Sequence, residues 1–460
     1  MSNLGNLIDL NKDLNKIAII DSTCSVTYKE LHNMSNYFAK SLQDKGYGPG
    51  DRIAIIGLNS IGYVAAYLGI LKLGAVAVLI NVKLPSQQLE YVLQDSNVKL
   101  VIRDPGVPIV EEVEFKSYQS NENDPALILY TSGSTSNPKG VVLPHRHLWI
   151  ISQKANLPNS YLRRAIVAAP LYHMNGLSNT ETVLKSHATL VLMPKFEPVE
   201  FIKNIEKHKI NSITSVPTML AMVLEETELL ATIDFSFVRH VGMASSPVSK
   251  LLFDKLKLTF PNAVIQNAYG ITEVSPGLFG KHPSKSTPDM SVGYPTPGID
   301  YRIVDGILQV RSPSMLLNYN IGAKNVTDDG YFITNDLFKI DEYGFYYFLG
   351  RADDMFVSGG NNIYPRQVES ILEDHPLVKT AVVVGIEDNI KGAKPYAFIQ
   401  GDVTEVLLTE YIKTKLPPSH WPRRIWNLDS IPLNSVNKVD KQKLREVALT
   451  NLNMSCTTQN

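Results

Sequence analysis

Little in this sequence marks a secreted, membrane-spanning or nucleic-acid-binding protein. Two cysteines, Cys24 and Cys456, stand among 460 residues. They are too few for a disulfide framework and too far apart for a metal-ligand spacing, which points to a reducing, cytoplasmic setting. Forty-four basic residues against 45 acidic ones leave a formal net charge of −1. No overall field therefore favours nucleic acid or an anionic membrane. The N-terminus shows no basic stretch followed by an apolar core, so no signal peptide is read there. The longest apolar tract, residues 64–80, is interrupted by Lys72 and Gly74. It is too short for a comfortable transmembrane span. It reads instead as a buried helix to about residue 72, a turn at Gly74 and a strand over 76–80. Internal repeats and low-complexity tracts are missing too.

What is present has the composition of a soluble globular protein, 44% apolar and 19% charged. A chain of this length holds two or three domains and a large core. Thr27 and Glu30 form a capping box that opens a helix to about residue 45. Candidate strands at 53–58, 76–80, 100–102, 126–131, 165–168, 189–192 and 213–215 alternate with helical patterns such as 199–207 and 218–226. The alternation predicts α/β layers with largely parallel sheets. After Gly293 the texture changes to short strands and Gly, Asp and Asn turns, which predicts an antiparallel, small barrel-like part. From about residue 352 a compact α+β unit of about 110 residues follows, long enough to be a domain of its own. The expected division is 1–351 and 352–460. The last ten residues are polar and read as frayed.

The most informative segment is Tyr130-Thr131-Ser132-Gly133-Ser134-Thr135-Ser136-Asn137-Pro138-Lys139-Gly140. Small side chains, hydroxyls, free backbone N–H groups and one lysine are the parts that surround a polyphosphate. An ordinary Ser/Gly surface turn has similar composition. The segment is not a Walker A loop, because Lys139 is followed by Gly140 and an apolar strand rather than by Ser or Thr at a helix mouth. The expectation is a flap joining two strands.

This segment resembles the phosphate-binding loop of the adenylate-forming superfamily of acyl- and aryl-CoA ligases, adenylation domains and luciferases. Ser136 stands where that pattern has glycine. Further matches follow in the family's order. Ala268-Tyr269-Gly270-Ile271-Thr272-Glu273 combines an aromatic face, a hydroxyl and a carboxylate of the hard-oxygen type that magnesium prefers. The resemblance implies Tyr269 and Gly270 at adenine, Thr272 at the α-phosphate and Glu273 on Mg²⁺. It implies Asp336 on the ribose hydroxyls, with Asn335 in the place of a glycine, and Arg351 at ribose or phosphate. Asp353 would be the hinge about which a mobile C-terminal domain turns. Thr131, Ser132, Gly133, Ser134, Thr135 and Lys139 would hold the phosphates, and Ser245 would lie in the adenine-edge loop.

Lys438, in Pro432-Leu433-Asn434-Ser435-Val436-Asn437-Lys438, would be the catalytic lysine. Asn434 and Asn437 depart there from threonine and glycine. In the loop Ser358-Gly359-Gly360-Asn361, neutral Asn361 and Gln367 replace the family's glutamates. His173, in Pro170-Leu171-Tyr172-His173-Met174-Asn175-Gly176, would be a catalytic-site residue. The absence of a nearby carboxylate suits an uncharged acyl or aryl tail rather than an amino acid. The implied activity is ATP- and Mg²⁺-dependent activation of a fatty or aryl acid as acyl-AMP. Transfer to coenzyme A follows, or to an acyl carrier protein in the alternative. A homodimer is compatible with the family, in which many members are dimers.

Overall fold

The structure is a computed structural model that describes residues 3–131, 138–155, 162–388, 392–434 and 438–457. Two large sheets build the N-terminal part. The first has six strands, in the order Asn318–Tyr319, Lys139–Pro144, Pro125–Thr131, Val76–Ile80, Arg52–Ile56, Leu100–Arg103. It is parallel from Pro125–Thr131 onward and antiparallel on the other side. Val76–Ile80 is buried along its whole length, as an unbroken apolar run inside a parallel sheet requires.

Helix Ile61–Lys72 covers this sheet and is buried at every position. Each of its leucines and isoleucines contributes about 1.5–3 kcal/mol by leaving water. Lys72 stays inside because Ser35 Oγ and Asn36 Oδ1 accept from its Nζ at 2.6 and 2.7 Å. Burial draws its pKa down to about 7. The capping box of helix Tyr28–Asp44 forms as read, with both reciprocal bonds present.

The second sheet has seven strands, in the order Val264–Asn267, His240–Met243, Ser212–Ser215, Arg164–Val167, Thr189–Leu192, Ile17–Ile20, Ser25–Thr27. All but the last pair are parallel. Its first four strands are parallel neighbours, so the loops that follow them leave from one edge. In open α/β sheets that edge, outside the carboxyl ends of the strands, is where ligands bind.

The antiparallel part expected after Gly293 is a four-stranded sheet, Asp300–Val304, Ile307–Arg311, Phe332–Ile340 and Tyr346–Arg351. A two-stranded ribbon, Phe279–Gly280 with Tyr294–Pro295, joins it through a bridge between Gly293 and Tyr346.

In the smaller C-terminal domain, strands Val378–Asp388 and Gly392–Gly401 pair antiparallel, and Ile425–Asn427 adds in parallel. Alternate residues of Val378–Asp388 face opposite ways. Val383 joins a core with Val368 and Leu372 of helix Pro365–Glu373, whereas Val382 and Val384 join Leu444 of helix Lys441–Thr457. The frayed terminus read from the sequence is thus corrected: the helix continues to Thr457, because its inner face has a sheet to cover.

Candidate active site

One cleft of about 2250 Å³ collects side chains from both large sheets, the antiparallel part and the C-terminal domain. The phosphate-loop segment is a hairpin connection, since strand Pro125–Thr131 pairs antiparallel with Lys139–Pro144 and Thr131 faces Lys139. Thr131 and Lys139 line the cleft. Ser132, Gly133, Ser134, Thr135 and Ser136 lie outside the described residues, as does Asn437.

Tyr269 follows the carboxyl end of strand Val264–Asn267. Its ring packs edge-on to Phe338 at 4.9 Å and nearly parallel to Phe348 at 6.1 Å. Its hydroxyl donates to Asp336 Oδ2, which joins the residue expected at the purine to the one expected at the ribose. Gly270 admits no side chain: a β-carbon would lie 2.5 Å from the Ser275 carbonyl oxygen. The tight turn that results, with Ile271 bridged to Ser275, presents Thr272 and Glu273 to the cleft.

Glu273 is pushed above the ordinary carboxylate range by burial. Tyr319 opposes this by donating to Oε1 at 3.1 Å. Tyr319 also lies under Lys139, whose Nζ is 5.9 Å from the ring centre. Among the described residues no group of three His, Cys, Asp or Glu could hold a metal alone. One carboxylate completed by phosphate oxygens and water is the donor set Mg²⁺ accepts in nucleotide sites. Glu273 fits that role.

Asp336 lies on the buried face of strand Phe332–Ile340. Its neighbour Asn335 has φ 59°, so asparagine meets the left-handed requirement as the sequence suggested. Burial raises Asp336 to about 6, against the pull of Arg351 and of the Tyr269 hydroxyl. Oδ1 has no hydrogen-bond partner among the described residues, although Arg351 Nη1 stands 3.3 Å away. A buried acceptor left open in this way invites an incoming hydroxyl. Arg351 also donates from Nη2 to Asp353 Oδ2 at 2.8 Å. Asn335 Nδ2 reaches the same oxygen at 3.4 Å.

His173 caps helix Met174–Lys185 just beyond strand Arg164–Val167. Burial first and then the charge of Lys438 lower its pKa to about 3, so the ring is neutral. Nε2 is buried without a partner among the described residues. Lys438 comes from the C-terminal domain, fixed by a bond from its N–H to Asn434 Oδ1 at 3.1 Å. Its pKa is lowered by burial and then by Arg351. Lys438 lines the cleft together with His173 and Arg351. Ser245, with φ 75°, lines it too, and its Oγ accepts from Asn175 Nδ2 at 3.3 Å. The hairpin Phe356–Ser358 with Asn361–Ile363 does not line it. The predicted residues that are described therefore converge, although they span Thr131 to Lys438.

The sequence profile of the AMP-binding enzyme family matches residues 9–314, and that of the AMP-binding enzyme C-terminal domain matches residues 367–438. The chain belongs to the AMP-binding enzyme family. Among relatives in this family, 2-succinylbenzoate–CoA ligase of Bacillus velezensis is 30% identical, over 94% of this chain and 95% of its own. Fatty acid–[acyl-carrier-protein] ligase ScoC of Streptomyces coeruleorubidus is 28% identical over 93% of each chain. The solved o-succinylbenzoate CoA synthetase (MenE) of Bacillus subtilis, in complex with the acyl-adenylate intermediate OSB-AMP, superposes with a TM-score of 0.81. It is 29% identical and covers 95% of this chain and 96% of its own.

Two cleft residues escaped the sequence reading. Tyr319 belongs to a two-residue strand that reaches Lys139–Pro144 only through sheet pairing, and no motif surrounds it. Lys154, on helix Leu148–Ala155, also lines the cleft. Its helix carries no signature beyond ordinary composition. Tertiary packing alone brings this ammonium to the cleft.

Proposed function

We propose that this AMP-binding enzyme is an ATP-dependent carboxylate–CoA ligase that makes an acyl-adenylate and passes the acyl group to coenzyme A. The observation that carries the reading is the meeting of Lys438, from the C-terminal domain, with His173, Glu273, Asp336 and Arg351 in one cleft. In the first step a substrate carboxylate oxygen attacks the α-phosphorus and pyrophosphate leaves. Asp336 and Arg351 orient the ribose, while Tyr269 stacks on the purine. Thr131, Lys139 and Thr272 contact the phosphates, with Ser245 at the adenine edge. Lys438 bridges the acid and the α-phosphate, where negative charge builds. His173, neutral and buried, borders the reacting acyl carbon. A magnesium ion held by Glu273 and phosphate oxygens would neutralise charge on the leaving pyrophosphate.

In the second step the thiol attacks the acyl carbon and AMP leaves. Lys438 has no role at that carbon, so the C-terminal domain turns about Asp353 and withdraws it. We place the boundary at 351/352 for this reason. The two-cysteine composition supports a cytoplasmic location, and no described helix is long and apolar enough to cross a membrane. The test is acid-dependent formation of AMP and pyrophosphate over a panel of carboxylic acids, with free coenzyme A or holo-carrier protein as acceptor. Thioester formation with coenzyme A supports the reading. Transfer to carrier protein alone would favour the activity in the name of the Streptomyces relative, and no pyrophosphate with any acid would end the ligase reading.

A further inference from the structure

The cleft holds a cation that the chemistry above does not use. Lys154 occupies the last turn of helix Leu148–Ala155. A β-carbon built on Gly277 would lie 2.7 Å from Lys154 Cε and 2.9 Å from Nζ. The ammonium therefore rests on the backbone just past the turn that presents Thr272 and Glu273, and any side chain at residue 277 would displace it. Among the described residues no hydrogen bond or ion pair engages Nζ.

The opposite charge that acts on it is Glu181, on helix Met174–Lys185. Glu181 lies beyond ion-pair distance and is held elsewhere. Tyr67 OH donates to its Oε1 at 2.5 Å, and His147 Nε2 stands 3.7 Å from Oε2. Burial lowers Lys154 to about 8, with Glu181 opposing, so the ammonium is charged at pH 7.

The helix that begins after His173 adds to this character. It turns Asn175, Ser178, Asn179 and Thr182 to the cleft, and Gln153 lines it beside Lys154. An aliphatic tail placed against this wall would strip water from an ammonium and from amides and return no hydrogen bond. A carboxylate placed there would accept charge-assisted bonds from N–H donors of Lys154 that no described residue engages.

We propose that the acid activated by this enzyme carries a second negative charge at its far end, a carboxylate in the simplest case, and that Lys154 is the side chain that selects it. The proposal rests on the ligase reading and names the substrate class of the same site. The reacting carboxylate lies at Lys438 and His173, while the distal one pairs with Lys154. Glu181, anchored by Tyr67, keeps the ammonium protonated before the acid arrives.

Matched pairs of acids test it. Hexanoate with hexanedioate, and a phenylalkanoate with its ring-carboxylated counterpart, are compared by acid-dependent ATP–pyrophosphate exchange. The expected result is a kcat/KM ratio of about 10–100 in favour of the diacid, the range for a hydrogen bond to a charged group. Lys154→Met should bring the ratio toward one, chiefly through KM for the diacid. Lys154→Arg should keep the diacid ahead. Preference of the wild type for monoacids throughout would overturn the proposal. So would a ratio that Lys154→Met leaves unchanged, which would mean that Lys154 only balances Glu181. Should Lys154→Met not fold, the wild-type ratio and Lys154→Arg still decide. Exchange with no acid of either kind is a different result, because it removes the ligase reading itself.

Discussion

Burial raises the Asp336 carboxyl from 3.8 to about 6, while the proposed ribose contact needs it ionised and open. The folded state therefore binds this proton more readily than the unfolded chain does. The stability this group contributes is fully present below 3.8 and is lost as pH rises through about 6. Asp336→Asn removes that loss. The melting temperature of the variant minus that of the wild type should be near zero at pH 4 and should grow to a plateau above pH 6, as scanning calorimetry across a pH series would read. ATP affinity of the same variant should fall by about tenfold or more, since one charged acceptor is gone. Lys438→Ala bears on chemistry instead. Adenylation should fall by about 10²–10³, the usual cost of one preorganised donor at a developing charge. Preformed acyl-adenylate should still react with thiol, and an equal loss in both steps would speak against the domain turn.

Strand Phe332–Ile340 shows how one element aims a side chain. Its period of two puts Phe332, Thr334, Asp336 and Phe338 on the buried face. The left-handed turn at Asn335 coincides with a register shift against Ile307–Arg311. Asn335→Gly should fold with unchanged stability. Asn335→Val should lose about 1–2 kcal/mol, the steric cost of a branched residue in that region, and nucleotide affinity should weaken as Arg351 and Asp353 lose their brace. Urea melts and nucleotide titration would measure both. Much of this level was legible in advance. The Thr27–Glu30 cap, the helix, turn and strand read over 64–80, and the strand at 189–192 all follow from local chemistry. The helix to Thr457 was not legible, because its polar sequence becomes helical by packing Leu444 and Ala448 on the C-terminal sheet.

At the scale of the whole molecule, the contacts between the two domains include polar ones. Lys379 meets Glu225 at 3.4 Å, and Arg366, buried between Glu369 and Glu373, donates from Nη2 to the Val248 carbonyl at 3.2 Å. Ion pairs as exposed as Lys379–Glu225 hold little energy, which is compatible with the proposed domain turn. Linking residues 225 and 379 through introduced cysteines and a cleavable bis-maleimide, in a Cys24→Ser, Cys456→Ser background, should preserve pyrophosphate exchange. It should suppress thioester formation until the linker is cut. Thioester formation at full rate in the linked protein would argue that no rotation is required.

The order of the motifs along the chain determined the family, and it named the residues proposed above for the nucleotide and the proposed catalytic lysine. These are short segments whose backbone and side-chain chemistry is local, so they survive being read one after another. The grouping behind the proposed second charge on the acid exists only in three dimensions. Lys154, Glu181, Tyr67 and Gly277 come from four separate elements, and no spacing links them. Whether an ammonium is balanced in place or left open to a ligand depends on distances that exist only once helices have packed.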